Sequence, residues 1–316
     1  MLISFVIPCY RSENTIEGVV ETIRETVEAR EGFDYEIVLV NDSSPDGTFK
    51  TITKLTEKYD NIIGVDIAKN SGQACAIMAG LKQTKGDIVA ISDDDGQTPI
   101  ETVFQFYDKM QEGGYDVVCA RYGERGDRSL FRKLGSWAND SMIKFCLDKP
   151  DEINTSVYFL AKRFIVEEMI RYENAYPHIG GLLLRTTHNI GNVDLEQKDR
   201  ASGSSGYTLS KLLSLWVNGL TTFSIKPLRA AVIFGGIMAV IGFIAIIVLV
   251  IGKLTNADMA LGWTSIIATN ILVGGIIMIV LGVIGEYIGR IYLCLNQTPQ
   301  YVVREVIDRR ETGGDR

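Results

Sequence analysis

The sequence has few residues that could carry histidine- or thiol-based chemistry. Of its 316 residues, two are histidines and five are cysteines, and no two cysteines form a CxxC pair. An odd number of scattered thiols argues against a disulfide framework or a zinc site and favours a reducing compartment. No GxGxxG motif follows the first predicted strand, and no GxxxxGK(S/T) motif occurs. These absences disfavour a nicotinamide cofactor and a P-loop NTPase.

Basic charge and proline are also scarce. The 32 Lys and Arg residues are outnumbered by 39 Asp and Glu, which gives a net charge of -7, and this balance argues against a nucleic-acid partner. Seven prolines against 31 glycines exclude a proline-rich rod, and the composition is not that of a disordered chain. The first ten residues lack a basic stretch, and their apolar run is too short for a signal peptide. We therefore expect residues 1–200 to fold in the cytosol.

Charged residues are missing from two long segments near the C-terminal end, 230–251 and 261–285. Each could cross a bilayer core of ~30 Å. The alternative is a pair of buried helices in a soluble domain, although such helices rarely lack every charge. Basic residues flank the outer ends of the pair: Lys226, Arg229, Arg290, Arg304, Arg309 and Arg310. By the positive-inside rule, the sequence predicts a multi-pass inner-membrane protein with both termini and the first 200 residues in the cytoplasm.

Residues 1–200 alternate short apolar runs with amphipathic segments. The runs predict strands at 2–7, 35–40, 62–67, 87–92 and 115–119, and the amphipathic segments predict helices at 14–30, 48–59, 74–82 and 100–111. This alternation predicts an α/β fold with a mainly parallel sheet. In such sheets the ligand lies beyond the carboxyl ends of the strands.

Polar segments follow the first four predicted strands, at 8–14, 41–47, 69–73 and 93–97. Any one of them alone is typical of a turn with a helix cap. Because all four should meet at one edge, together they predict a binding site. Asp93, Asp95 and Gln97 would point to one side of an extended segment and offer the oxygen ligands that Mg²⁺ or Mn²⁺ prefers. The alternative is a solvated acidic turn without a bound ion.

Five separated segments resemble motifs of glycosyltransferase family 2, whose members bind nucleotide sugars in a GT-A type, Rossmann-like fold. They are VIPCYRSEN (6–14), VNDSSPDGT (40–48), AKNSGQACAIMAGL (68–81), SDDDGQTP (92–99) and RASGSSGY (200–207). With the two uncharged segments, the resemblance narrows to the polyprenyl-phosphate glycosyltransferases. It implies metal-dependent, inverting transfer from a nucleotide-diphosphate sugar, with UDP-hexose the favoured donor, to undecaprenyl or dolichyl phosphate. Guanine and thymine nucleotides stay open, and so does the sugar.

The resemblance also implies roles for individual residues. The nucleotide-binding set is Pro8, Tyr10, Glu13, Val40, Asp42, Gly72, Asp93 and Asp94. The metal set is Asp93, Asp95 and Gln97. The catalytic set is Asp95, Arg121 and Arg200. The acceptor-phosphate set is Arg200, Ser205, Tyr207 and Lys211. Gly206 stands where the family has lysine, and Lys211, Arg125, Arg128 or Arg132 would have to supply the missing cation.

The sequence thus divides into four parts. Residues 1–200 form the catalytic domain, 201–229 the acceptor-phosphate loop with an amphipathic interface helix over 208–220, 230–290 a transmembrane hairpin, and 291–316 a polar cytoplasmic tail. Glycines in the two uncharged segments permit close helix contacts within one chain or in a homo-oligomer. The expected partners are the sugar donor, the lipid acceptor and the bilayer.

Two other functions stay open at this point. A processive polysaccharide synthase shares the early motifs, but such enzymes carry a QxxRW motif and more membrane spans. Here Gln197 and Arg200 have the first part of that spacing, and Ala201 follows instead of tryptophan. A non-catalytic membrane scaffold that binds sugar nucleotides is the third candidate, and the intact set of Asp93, Asp95 and Gln97 speaks against it.

Overall fold

The structure is a computed structural model, and it describes residues 1–122, 150, 153–175, 177–195, 226–255, 262–296 and 299–310. The strands are β1 (Leu2–Cys9), β2 (Asp34–Asn41), β3 (Ile62–Ile67), β4 (Ile88–Ile91), β5 (Val117–Tyr122), β6 (Phe159–Lys162), β7 (Ile190–Leu195) and β8 (Val303–Ile307). The helices are α1 (Ile16–Glu28), α2 (Thr48–Lys58), α3 (Gln73–Leu81), α4 (Val103–Gly113), α5 (Arg163–Ile170), α6 (Ile179–Thr186), α7 (Lys226–Thr255) and α8 (Trp263–Leu295).

The eight strands form one mixed sheet in the order β7-β5-β6-β4-β1-β2-β3-β8. Strand β1 pairs in parallel with β2 and β4, and β2 pairs in parallel with β3. Strand β6 runs antiparallel to both β4 and β5, so β5 has the same direction as the central strands. The carboxyl ends of β1 to β5 therefore lie along one edge of the sheet.

Helices cover both faces of the sheet and form two apolar layers. One layer holds the buried side of α1 with α2 and α4, and the other holds α3, α5 and α6. Helix α3 packs very closely on the central strands. A Cβ atom on Gly80 would lie 2.4 Å from a methyl carbon of Val6 and 2.9 Å from one of Val40, so a larger residue there would displace the helix.

The predicted α/β fold is confirmed for the first 122 residues, where five strands and four helices occur in the predicted order. Helix α1 buries Ile16, Val19, Val20, Ile23 and Val27, the apolar positions of the predicted helical spacing. The sheet is mixed: β1 to β5 and β7 share one direction, as the predicted mainly parallel sheet requires, and β6 and β8 run antiparallel to their neighbours. The sequence did not predict β6, β7 or β8, nor helices α5 and α6.

The C-terminal part contains two long helices, α7 with 30 residues and α8 with 33. Among the residues that the structure describes, no helix meets the length and apolarity that crossing a membrane requires. The two predicted membrane spans stay a prediction. The predicted interface helix over 208–220 lies outside the described residues.

Candidate active site

Asp94 connects the loop after β1 to the turn after β4. Its Oδ2 accepts the backbone N–H of Tyr10 at 2.9 Å and the hydroxyl of Ser12. Ser12 is buried, and its own N–H donates to Thr48 Oγ1 at 2.9 Å. Burial raises the pKa of Asp94, although these donors act in the opposite direction. The second of the three successive carboxylates therefore holds the two loops together.

Asp42, at the end of β2, is buried and has an exposed fraction of 3%. Its two carboxylate oxygens accept the N–H groups of Ser71 at 2.7 Å and of Gly72 at 2.8 Å. Gly72 has a φ of +89°, which a residue with a side chain rarely adopts. Asp42 thus fixes the loop after β3, and its predicted contact with a nucleotide stays a prediction.

Asp93, the first residue of the acidic turn, accepts the side-chain amide of Gln73 at 2.7 Å. Burial, followed by the charges of Asp95 and Asp94, raises the pKa of Asp93 to about 6. Gln73 is neutral, so it cannot neutralise this carboxylate as a cationic side chain would. A bound cation would relieve the repulsion among the three carboxylates.

Asp95 is exposed, and its Oδ1 accepts the backbone N–H of Gln97 at 2.9 Å. Gly96 between them has a φ of +69°, so the turn needs glycine at that position. Among the described residues, no group of three or more His, Cys, Asp or Glu side chains is arranged to hold a metal ion. The predicted set also uses an amide oxygen, and the chemistry of Asp93, Asp95 and Gln97 fits a hard divalent cation.

Arg121, near the carboxyl end of β5, forms a two-point ion pair with Asp194 of β7, with Nε–Oδ1 and Nη2–Oδ2 distances of 2.5 and 2.8 Å. The two residues are register partners in the parallel β5–β7 pair. To contact phosphate as predicted, the guanidinium of Arg121 would have to break its ion pair with Asp194 or bind both partners at once. The next residue, Tyr122, was missed by the sequence analysis. Burial and the charges of Asp93 and Asp95 raise its pKa, which places it near the acidic turn.

The remaining predicted nucleotide residues lie on β1, on β2 and in the loop after β1. Pro8 and Val40 are register partners in the parallel pair β1–β2 and are both buried. The ring of Tyr10 is exposed, with the Arg11 guanidinium 5.6 Å from its centroid, so it offers a face on which a base could stack. Glu13 accepts the N–H of Gly47 at 2.8 Å and thereby joins the loops after β1 and β2.

The predicted acceptor-phosphate residues Arg200, Ser205, Tyr207 and Lys211 lie outside the described residues. The three arginines considered as substitutes for the missing lysine, Arg125, Arg128 and Arg132, do so as well. The described part of the site therefore contains the predicted nucleotide-binding and metal residues and Arg121.

The raised pKa of Asp93 predicts how pH affects the metal-free protein. Its folded value of about 6 exceeds the ordinary 3.8. This group therefore stabilises the fold fully below pH 3.8, and the contribution is lost as the pH rises through about 6. We expect the chelator-treated wild type to lose stability between about pH 4 and about pH 6 relative to Asp93→Asn. Thermal unfolding of both proteins at each pH measures this, and parallel curves would contradict the assignment.

Among known protein families, residues 4–170 match the model of glycosyl transferase family 2. Bactoprenol glucosyl transferase of Shigella phage SfII is 31% identical over 306 residues, which cover 96% of this chain and 98% of that protein. Undecaprenyl-phosphate 4-deoxy-4-formamido-L-arabinose transferase of Photorhabdus laumondii is 31% identical over 314 residues, covering 98% and 95%. An uncharacterized glycosyltransferase of Bacillus subtilis, YkcC, is 31% identical over 302 residues, covering 96% and 93%.

One solved structure shares the fold at low sequence identity. Glucosyl-3-phosphoglycerate synthase from Mycobacterium tuberculosis, in complex with Mn²⁺, UDP-glucose and phosphoglyceric acid, superposes with a TM-score of 0.51. The two sequences are 18% identical, and the match covers 70% of this chain and 78% of that one. At this identity the likeness shows the fold alone.

Proposed function

This chain belongs to glycosyltransferase family 2 and is a glycosyltransferase, and we propose that it transfers a sugar from a nucleotide-diphosphate sugar to a polyprenyl phosphate at the cytoplasmic face of the membrane. The observation that carries the proposal is that Asp42, Asp93, Asp94 and Asp95 follow strands at one edge of the sheet, where their hydrogen bonds hold the surrounding loops. The lipid acceptor is inferred from two relatives of nearly full length, whose names specify bactoprenol and undecaprenyl phosphate.

The donor side has the parts that departure of a nucleotide diphosphate requires. We propose that a divalent cation binds among Asp93, Asp95 and Gln97, because burial and, after it, the charges of Asp95 and Asp94 raise the pKa of Asp93, and a cation would favour its charged form. Such an ion supplies Lewis-acid stabilisation of the departing diphosphate. Asp94 and Asp42 hold the surrounding loops, and the exposed ring of Tyr10 offers a surface for the base.

The acceptor needs no general base. A phosphate monoester is already anionic near neutral pH, so it can attack the sugar without losing a proton, and a single displacement inverts the anomeric centre. This suits a chain with two histidines, one of which, His178, accepts the N–H of Gly181 and caps α6. We propose Arg200 and Lys211 as the cations that hold the acceptor phosphate against the acidic turn.

Helices α7 and α8 indicate which part of the protein would face the lipid acceptor. They carry many exposed large apolar side chains, among them Val232, Phe243 and Met278. Exposed apolar surface of this extent indicates a lipid or protein partner. We propose that these helices contact the inner membrane, with the catalytic domain and both termini on its cytoplasmic side. The acceptor phosphate would then stay at the headgroup level, next to the soluble donor.

Incubating membranes that contain the protein with labelled nucleotide sugars and undecaprenyl phosphate tests the proposal. We expect label from one donor to enter an organic-extractable lipid, EDTA to stop the reaction, and Mg²⁺ or Mn²⁺ to restore it. Membranes that carry the Asp95→Ala variant are the control. Label in a water-soluble polymer would favour a processive synthase, and no labelled lipid with any donor would contradict the proposal. Full activity in EDTA would contradict the metal role.

A further inference from the structure

The segment after α8 returns to the catalytic domain and completes its sheet. Helix α8 ends at Leu295, and β8 begins at Val303. Strand β8 pairs antiparallel with β3, so its first residues lie at the edge where β3 ends. From the sequence, residues 291–316 were expected to form a polar cytoplasmic tail. The structure instead shows that part of this tail lies beside the donor side of the site.

Arg304 of β8 binds the end of β3 at two points. Its Nη1 lies 2.8 Å from Oδ2 of Asp66, and its Nη2 donates to the carbonyl oxygen of Ala68 at 3.0 Å. The backbone N–H of Ala68 in turn donates to the carbonyl of Val302 at 2.8 Å. Asp66 is buried, and its other oxygen accepts the side-chain amide of Asn41 at 2.7 Å. One guanidinium thus reaches the ends of both β2 and β3 through Asp66.

The residues immediately after Ala68 touch both carboxylates of the donor side. Ser71 and Gly72 donate their N–H groups to Asp42, and the next residue, Gln73, donates its side-chain amide to Asp93. The side chain of Asn70 also donates to the carbonyl of Asp42 at 3.3 Å. The conformation of this short loop therefore sets where Asp42 and Asp93 lie relative to each other.

We propose that Arg304 is a positioning residue for the donor site, because it holds the end of β3 from which the loop over 68–73 begins. This inference rests on the proposed function, because it takes that loop to hold a nucleotide sugar.

The solvent exposure of Arg304 and Asp66 determines whether loss of Arg304 should affect global stability or the local structure of the loop. The side chain of Arg304 is 58% exposed, whereas that of Asp66 is 3% exposed. An exposed arginine contributes little to global stability. A buried carboxylate that loses its cation must find another partner or become solvated, which moves the backbone around it. We therefore expect loss of Arg304 to disturb the loop and donor affinity much more than the free energy of unfolding.

The test compares Arg304→Ala, Arg304→Lys and Arg309→Ala in the full-length protein. Arg309 lies in the same C-terminal segment, just after β8, but pairs with Glu57 at 3.7 Å, so Arg309→Ala is the matched control. Hydrogen exchange at the amides of residues 68–73 reports loop order. Calorimetric titration with UDP, GDP and dTDP reports nucleotide affinity. Far-UV circular dichroism establishes that each variant is folded.

We expect Arg304→Ala to speed exchange in the loop and to weaken nucleotide binding on the order of tenfold. Lysine can still meet Asp66 but cannot reach both acceptors, so Arg304→Lys should recover part of the affinity. Faster exchange with unchanged affinity, or equal effects from Arg309→Ala, would overturn the proposal. If the wild type binds none of the three nucleotides, the proposed function fails at the donor step, and unchanged exchange in Arg304→Ala would separately reject the role of Arg304.

Discussion

Replacing Asp95 by alanine is expected to lower the rate of sugar transfer on the order of a thousandfold, because it removes one ligand of the proposed cation and with it the stabilisation of the departing diphosphate. The fold should survive. Asp95 is exposed, and its carboxylate accepts the N–H of Gln97, whose backbone can bond to water instead. The effect should therefore appear in kcat and not in the melting temperature.

Asp95 is a sharper test than its two neighbours in the acidic turn. Asp94 accepts hydrogen bonds from Tyr10 and Ser12, so its removal would also release the loop after β1. Asp93 is bonded to Gln73, so its removal would also disturb α3. A loss of activity in either of those variants would mix structural and chemical causes.

The measurement is the initial rate at saturating donor in membranes, over a series of Mg²⁺ and Mn²⁺ concentrations. Asp60→Ala is the matched control, because Asp60 is an exposed carboxylate between α2 and β3, at the opposite edge of the sheet. A metal-ligand role predicts that high ion concentration recovers part of the rate in Asp95→Ala. Turnover equal to that of the wild type would remove Asp95 from the site.

The edge of the sheet where Asp42, Asp93 and Asp94 lie was predictable because local patterns determine it. Apolar runs of strand length followed by polar segments located the ends of β1 to β4, and parallel pairing brings those ends together. Asp42, Asp93 and Asp94 were therefore expected at one edge. Their hydrogen-bond partners were harder to predict. The N–H groups that donate to Asp42 lie 29 and 30 residues later in the chain, and no spacing rule relates them to Asp42.

Features that depend on distant pairing could not be predicted. The partner of Arg121 is Asp194, 73 residues away, and becomes visible only in the β5–β7 register. Strand β6 passes directly into α5 at Arg163, so no polar turn marks its end. Strand β8 exposes its first four residues and includes the adjacent charges of Arg304 and Glu305, so its sequence resembles that of a charged tail. The position of Tyr122 beside the acidic turn likewise depends on the turn and β5 meeting in space.

The largest expected loss of stability concerns the same C-terminal segment, at the opposite edge of the sheet. Glu36 of β2 is buried and accepts the N–H groups of Lys85 at 2.5 Å and Gly86 at 3.1 Å. Its second oxygen pairs with Arg310, whose side chain is also largely buried. Arg310 pairs with Asp308 as well and holds the pKa of that carboxyl below its ordinary value. The guanidinium is therefore the cation that compensates a carboxylate enclosed by backbone.

We expect Arg310→Ala to lower the free energy of unfolding by about 3 kcal/mol, because it leaves the charge of Glu36 buried and unpaired. Thermal and urea unfolding of the full-length protein measure the loss. The double variant Glu36→Gln/Arg310→Ala should recover most of it, since glutamine still accepts from Lys85 and Gly86 while the charge is gone and the arginine stem is absent from both variants. If the double variant is as unstable as Arg310→Ala, the loss comes from packing of the arginine stem rather than from the buried charge. That result would mean that the electrostatic account of how the tail is fastened to β2 is wrong.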